Sequence, residues 1–155
     1  ACGREKCVAA ESNPLRGQRT TTPTVPLQRV LARSRGHGRK AGAVLDRGSP
    51  SACVEQVRHL CDVVLVMTVN PGFGGQKFLP ETLPKIRELR RLCASKGLDP
   101  WIEVDGGQNG ENAARAVEAG ADAIVAGSAI FHSSDYAAAI ARIRNGARTM
   151  KAVAS

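Results

Sequence analysis

The sequence has few aromatic residues and no long apolar run. Phe, Trp and Tyr make up 3% of its 155 residues, although 43% of the residues are hydrophobic. A transmembrane helix needs roughly 18 to 20 consecutive apolar residues, and every stretch of that length here contains charges. No apolar segment follows the charged first residues, as a signal peptide requires. The composition therefore predicts one domain with an ordinary core, no membrane association and no signal peptide.

The cysteines form no recognisable framework. There are five of them, an odd number, and their spacing fits neither a small disulfide scaffold nor a C-x-x-C zinc motif. We therefore expect reduced thiols.

Acidic residues are scarce only in the first third of the chain. Residues 1–50 contain 10 lysines and arginines against 3 acidic residues, whereas residues 51–155 contain 12 against 11. A basic arm can bind nucleic acid, but this arm has no aromatic residue that could stack on a base. We expect no nucleic-acid partner. A basic-armed binding module is the less favoured alternative, and it predicts a steeply salt-dependent affinity for DNA or RNA.

Two regions differ in their sequence pattern. Residues 1–39 are polar and interrupted by prolines, and they are predicted to be irregular except for a weak helical pattern from Leu27 to Arg35. From Lys40 onward, short apolar runs alternate with patterns of helical spacing. We therefore predict a boundary between residues 1–39 and a domain at 40–155.

The second region predicts four strands, each followed by a helix. The strands are expected at 41–45, 63–69, 101–105 and 123–126, and the helices at 53–60, 83–93, 111–119 and 135–146. This alternation predicts parallel pairing in an α/β fold. Two architectures fit, an open doubly wound sheet and part of a (β/α)8 barrel, of which four units are half.

Three of the predicted strands end in glycine-rich or acidic segments. These are residues 70–76, 105–107 and 127–128. Ligands bind at the carboxyl ends of parallel strands, and glycine lets backbone N–H groups approach a phosphate closely. The three segments therefore predict a phosphate site. Asp105 is a candidate general base or hard metal ligand there, although a structural hydrogen bond would also explain it.

Between Asp62 and His132 the sequence resembles the ribulose-phosphate 3-epimerases. Three motifs carry this resemblance, and their order and separation also match: Val66-Met67-Thr68-Val69-Asn70-Pro71-Gly72-Phe73-Gly74-Gly75-Gln76, Trp101-Ile102-Glu103-Val104-Asp105-Gly106-Gly107 and Ile124-Val125-Ala126-Gly127-Ser128. The likeness is good over residues 40–146. It weakens at Asp46-Arg47-Gly48-Ser49-Pro50, where the family has Asn-Pro-Gly-Thr-Pro, and we find no match before about Leu27.

The resemblance implies a (β/α)8 barrel, of which this chain holds about four C-terminal βα units. It implies an isomerase that interconverts ribulose 5-phosphate and xylulose 5-phosphate by proton abstraction at C3. The family stabilises the resulting enediolate with a divalent metal cation such as Zn, Fe, Mn or Co. The expected ligand is a sugar phosphate, the expected compartment is the cytoplasm or a plastid, and a homo-oligomer is left open.

The resemblance also assigns roles to residues of this sequence. Asp105 matches an aspartate that is both the acid/base group and a metal ligand, and Met67 matches a methionine beside the metal. Two further sets are implied to bind the substrate and its phosphate: the loop residues Gly72, Phe73, Gly74 and Gly75, and the strand-end residues Gly106, Gly107, Gly127 and Ser128.

The resemblance leaves part of the family's site unmatched. The family carries a second catalytic aspartate and two metal-binding histidines on its second and third barrel strands, and nothing in residues 1–39 matches them. Two interpretations follow. The chain is an epimerase, or it is a catalytically inactive fragment that retains a partial phosphate-binding site.

Overall fold

The described part of the chain folds into one parallel sheet with helices packed against it. The computed structural model describes residues 8–9, 27–54 and 58–153. The strands are β1 (Val8–Ala9), β2 (Gly42–Leu45), β3 (Val63–Met67), β4 (Trp101–Asp105) and β5 (Ala123–Val125). The helices are α1 (Leu27–Gly36), α2 (Leu83–Ala94), α3 (Gly110–Glu118), α4 (Ser128–Phe131) and α5 (Tyr136–Val153). No helix within these residues is long and apolar enough to cross a membrane.

The sheet confirms the predicted parallel α/β architecture. Its strand order is β1-β5-β4-β3-β2, and all four strand pairs are parallel. The four strands predicted from the sequence are present, each within a few residues of its expected bounds. Strand β1 was not predicted, because two residues are too few to show an alternating pattern. The predicted boundary at residue 39 stays a prediction.

The two faces of the sheet have different environments, because side chains alternate along a strand. On β3 and β4, Val64, Val66, Ile102 and Val104 are completely buried in the hydrophobic core with the helices. The next residues along, Met67 and Asp105, lie on the opposite face at the carboxyl ends of their strands. The pattern thus places Asp105 away from the helix-covered core.

Helix α2 follows its sequence pattern closely. Pro84 lies in the first turn, where its missing N–H costs nothing, and the apolar stripe is buried. The stripe consists of Leu83, Ile86, Leu89 and Cys93. Gly97 ends the segment with a φ of 64°, and the Leu98 N–H donates to the Cys93 carbonyl at 3.0 Å.

Arg90 on α2 connects this helix to the segment between α3 and β5, and through Asp122 to the start of β4. Its guanidinium donates to the Gly120 carbonyl at 2.8 Å and forms an ion pair with Asp122. The Asp122 carboxylate also accepts the Ile102 N–H at 3.0 Å. One arginine therefore fixes α2 against the segment that joins α3 to β5.

Helix α5 extends beyond its predicted end. The expectation of a stop near Asn145 and Gly146 was wrong, since the helix runs from Tyr136 to Val153. Gly146 permits close packing of α5 on α3, because a Cβ at this position would collide with the Gly110 carbonyl oxygen. The predicted helix start is confirmed, since the Asp135 carboxylate accepts the Ala138 N–H at 2.9 Å.

The segment predicted as a helix at 53–60 has a different structure. Its described residues form two 3-10 turns, Ser51–Val54 and Arg58–Leu60. A helix this short is costly to nucleate, and the turns follow a loop already fixed by the hydrogen bonds of Asp46 to Ser49. Residues 55–57 lie outside the described part of the chain.

Candidate functional site

The carboxyl ends of β3, β4 and β5 surround a cavity of about 460 Å³, which we call the glycine cavity. All nine residues predicted from the sequence line it: Gly72, Phe73, Gly74, Gly75, Asp105, Gly106, Gly107, Gly127 and Ser128. Three separate stretches of sequence are therefore brought to one place. Their roles in binding and catalysis remain predictions.

Asp105 lies at the centre of a row of three strand residues. It pairs in register with Met67 of β3 on one side and with Val125 of β5 on the other. Met67 and Val125 also line the glycine cavity, so the half-buried carboxylate has apolar neighbours on both flanking strands. Met67 is thus beside Asp105, and its expected place beside a metal stays a prediction.

The turn after Asp105 can be built only with glycines. Gly106 has a φ of 120° and Gly107 a φ of 62°, a region that favours glycine strongly. A Cβ at Gly106 would also lie 2.5 Å from a methyl group of Val69, and one at Gly107 would collide with the backbone of Phe78. The backbone of the 77–78 segment therefore lies directly against this turn.

The loop at residues 70–76 is held by one of its own side chains. The Gln76 amide donates to the Phe73 carbonyl at 2.9 Å and to the carbonyl of Asn70. Gly72 and Gly75 have positive φ values of 138° and 71°. The Phe73 ring is 84% exposed and forms part of the cavity wall. The loop therefore presents an apolar ring to solvent at the mouth of the cavity.

Two buried polar residues support the strand ends, and the sequence did not single them out for this role. The Thr68 hydroxyl lies 2.6 Å from the Gly106 carbonyl oxygen and accepts from the Gln108 amide at 3.0 Å. Gln108 is 3% exposed and also donates to the Gly106 carbonyl at 3.2 Å. Within the described residues its Oε1 has no hydrogen-bond donor. A polar residue directly after a Gly-Gly pair was the available clue.

A second cavity of about 530 Å³ adjoins the first, and we call it the lysine–arginine cavity. It is lined by Gly75, Gln76, Lys77, Phe78, Pro80, Gly107, Gln108, Asn109, Asn112, Arg115, Ser128, Ala129 and His132. Two of these residues are cationic, and none carries a carboxylate. His132 is exposed and borders both cavities.

Comparison with known proteins gives the family. The sequence profile of the ribulose-phosphate 3 epimerase family matches residues 21–131. This chain belongs to the ribulose-phosphate 3-epimerase family. The match begins at residue 21, so it includes helix α1, and the expectation of no match before about Leu27 was wrong.

Similar proteins carry the same family name. A ribulose-phosphate 3-epimerase of Synechocystis sp. is 57% identical over 122 residues, which cover 79% of this chain and 53% of that protein. A chloroplastic ribulose-5-phosphate-3-epimerase of Arabidopsis thaliana is 50% identical over 125 residues, 81% of this chain and 44% of that protein. The chain thus spans about half the length of the curated relatives it matches.

A solved structure shows the same fold at much lower identity. The 3-hexulose-6-phosphate synthase of Salmonella typhimurium superposes with a TM-score of 0.59 at 21% identity, covering 80% of this chain and 56% of that one. The epimerase family is a (β/α)8 barrel, and this chain contains part of one. The predicted fold class is confirmed.

The described residues of this epimerase-family chain do not by themselves form a metal centre. Among the described residues, no group of three or more His, Cys, Asp and Glu side chains could hold a metal ion. Asp105 is the one carboxylate among the residues that line the glycine cavity. A stable site for a divalent cation needs several such donors, so the donor set present here does not fit the group.

The segment in which this sequence departs from the epimerase motif is well ordered by hydrogen bonds. The Asp46 carboxylate accepts the Ser49 hydroxyl and the Ser49 N–H, both at 2.7 Å. The pKa of Asp46 lies below its ordinary value, and the hydrogen bond from the Ser49 hydroxyl is the largest cause. Lys85 donates to the Asp46 and Arg47 carbonyls at 2.6 and 2.9 Å. Neither cavity is lined by Asp46.

Proposed function

We propose that this chain carries the phosphate-binding half of a ribulose-phosphate 3-epimerase site, acting on ribulose 5-phosphate and xylulose 5-phosphate. One observation supports this proposal above the others. The nine residues that match the epimerase motifs, drawn from three distant stretches of sequence, line one cavity. The family membership of the chain supplies the reaction class.

In this proposal the glycine segments hold the phosphate. Gly106, Gly107 and Gly127 lie at the strand ends, where their backbone N–H groups can approach an anion with no side chain between. Ser128 begins α4 and adds a hydroxyl donor. A phosphate held here would place the sugar carbons over the carboxyl end of β4.

Asp105 is the proposed acid/base group. Its carboxylate would take or return the proton at C3 of the bound sugar, a role worth roughly 10²- to 10⁴-fold in rate. Met67 and Val125 flank it in register and give the carboxylate an apolar setting. Inversion at C3 also requires a group on the opposite face of the sugar, and the glycine cavity holds no second carboxylate among its described lining residues.

The family uses a divalent metal, and we propose Zn, Fe, Mn or Co as the cation that the full site would bind. Asp105 is the ligand that this chain offers. Since the described residues provide no complete donor set, we assign no catalytic step to the metal. We place the enzyme in the cytoplasm or a plastid, as one relative is named chloroplastic. We expect neither nucleic acid nor membrane as a partner.

The proposal is tested by adding ribulose 5-phosphate and each metal to the purified chain and measuring binding and epimerisation separately. Asp105→Asn should leave sugar-phosphate binding nearly unchanged and lower turnover at least about 100-fold. Asp135→Asn, which keeps a helix-capping oxygen on α5, is the matched control and should match the wild type. Measurable turnover that is equal in wild type and Asp105→Asn would remove Asp105 from the reaction.

The second candidate function is that of a catalytically inactive fragment with a partial phosphate site. It is favoured by one observation, the single carboxylate among the described residues that line the glycine cavity. It predicts sugar-phosphate binding without epimerisation at any metal concentration. Turnover above a metal-only blank would contradict it.

A further inference from the structure

We propose that the lysine–arginine cavity binds a second oxyanion of the phosphate class, beside the phosphate of the glycine cavity. The position of the first phosphate rests on the proposed function, whereas the second site rests on the charges and contacts of the lysine–arginine cavity itself. It uses Lys77 and Arg115, neither of which belongs to the matched phosphate-binding residues.

No carboxylate among the described lining residues balances the charge of this cavity. Lys77 and Arg115 both line it, and within residues 27–54 and 58–153 neither forms an ion pair with a carboxylate. The other lining residues are neutral or histidine, and the polar ones are mainly amides and a hydroxyl. Two cations that share a cavity whose lining holds no carboxylate raise its potential and favour an anionic ligand, although Glu111 and Glu118 lie one turn from Arg115 on α3.

Arg115 is positioned before any ligand arrives. Its guanidinium carbon lies 5.5 Å from the centre of the Phe78 ring, a cation–π distance. The side chain is half-buried and lines the cavity. A guanidinium fixed in this way loses little conformational freedom on binding an oxyanion with two parallel hydrogen bonds.

The two cavities are continuous along one wall. They share Gly75, Gln76, Gly107, Gln108, Ser128 and His132. The Asn112 side-chain amide donates to the Gly107 carbonyl at 2.8 Å. This carbonyl is therefore already hydrogen-bonded and is not an open acceptor in the cavity wall. A volume of about 530 Å³ lies in the range of small-molecule sites. A ligand with two anionic groups could therefore occupy both cavities.

The oxyanion can come from two sources with the same chemistry. It is either a free ion such as inorganic phosphate, or the distal phosphate of a bis-phosphorylated sugar whose first phosphate lies in the glycine cavity. Inorganic phosphate alone, a pentose 5-phosphate and the matching 1,5-bisphosphate serve as probes. Calorimetric titration of the full chain at low ionic strength, where screening is weak, gives affinity and stoichiometry.

Three proteins are compared. The site variant is Lys77→Gln/Arg115→Gln. The matched control is Arg91→Gln/Lys96→Gln. It removes the same net charge from two exposed positions, one in the last turn of α2 and one just after the helix. Thermal unfolding of all three shows that they are folded. The wild type should bind two inorganic phosphates per chain, and the site variant should weaken one of them about ten- to hundredfold. The control should match the wild type.

The remaining outcomes are also decisive. A single phosphate that the site variant abolishes supports this site and contradicts the glycine-cavity phosphate of the proposed function. A single phosphate that the site variant leaves unchanged overturns the second site, as does equal weakening by the control variant.

If the bisphosphate binds more tightly than the 5-phosphate only when Lys77 and Arg115 are present, the distal phosphate is the source. If it binds no more tightly while two free phosphates bind, the source is a free ion.

Discussion

The carbonyl oxygen of Asp105, the last residue of β4, accepts at 2.7 Å the backbone N–H of Thr68, which directly follows β3. The Thr68 hydroxyl lies 3.0 Å from the same oxygen. One residue thus connects the end of β3 to the turn that carries the proposed acid/base group. Because Thr68 is completely buried, water cannot replace these contacts.

We predict that Thr68→Val destabilises the protein by about 1–3 kcal/mol. The methyl group fills the space of the hydroxyl but leaves the Gly106 carbonyl and the Gln108 amide with one partner fewer. Urea unfolding at equilibrium measures the effect. Thr68→Ser keeps the hydroxyl and should recover most of the loss relative to Thr68→Val, apart from the cost of the missing methyl. Equal losses in both variants would show that packing rather than hydrogen bonding holds this position.

Gln108→Glu should make stability depend on pH. The change replaces the donating amide with an oxygen that faces the Gly106 carbonyl in a site only 3% exposed. Burial then raises the pKa of the introduced carboxyl above its unfolded value of about 4.3. With a raised folded pKa, stability is highest below the unfolded pKa and falls as pH rises through the folded one.

Urea unfolding from pH 4 to 8 tests this expectation. Gln28→Glu makes the same chemical change on the exposed surface of α1 and is the control. The difference in unfolding free energy between the two variants should widen as pH rises. A difference that stays constant would show that the position 108 carboxylate is solvated.

Two glycine-to-alanine changes should shift the free energy of unfolding in opposite directions. Gly146→Ala forces a Cβ onto the Gly110 carbonyl oxygen, and we expect a loss of about 1–3 kcal/mol from the separation of α5 and α3. Gly36 is the exposed last residue of α1, and a Cβ added there would meet no atom within 4 Å. Gly36→Ala should therefore stabilise the protein by about 0.4–1 kcal/mol. Thermal and urea unfolding of both variants decide the matter. Stabilisation by Gly146→Ala would disprove the close helix contact.

Cys61 should be nearly inert toward alkylation in the folded protein. Burial is the main cause that raises its pKa to about 12, and the neighbouring charge of Asp62 adds to it. Near neutral pH the thiolate fraction is then about 1,000-fold below that of a thiol with pKa 9.0. Iodoacetamide labelling followed by peptide mass spectrometry should show at least about 100-fold slower modification than in denaturant. Rapid labelling of Cys61 under native conditions would contradict its burial.

The sequence predicted most of the sheet and helices because their patterns are local. The uncharged β-branched run at 63–67 and the apolar stripe of α2 each identify an element without knowledge of the rest of the chain. The end of α5 could not be predicted this way. Gly146 is read as a helix stop until its neighbour Gly110, 36 positions earlier in the chain, is known.

The candidate site shows the same division. Asp105 and the glycines were predictable because they follow strands and match long motifs. Thr68 and Gln108 were not singled out, because their importance comes from hydrogen bonds between different strand ends. Lys77 and Arg115 face one cavity from a loop and from a helix, and nothing in their separation along the sequence links them.

The contact between Gly110 and Gly146 also joins two parts of the molecule mechanically. Gly110 begins α3, whose Asn112 side chain donates a hydrogen bond to the Gly107 carbonyl at the edge of both cavities. We therefore expect a displacement of α5 at Gly146 to shift the first turn of α3 and, with it, the Gly107 peptide. Since α5 contacts the first residue of α3, we expect surface changes on α5 to alter affinity at the proposed anion-binding turn without contacting the ligand.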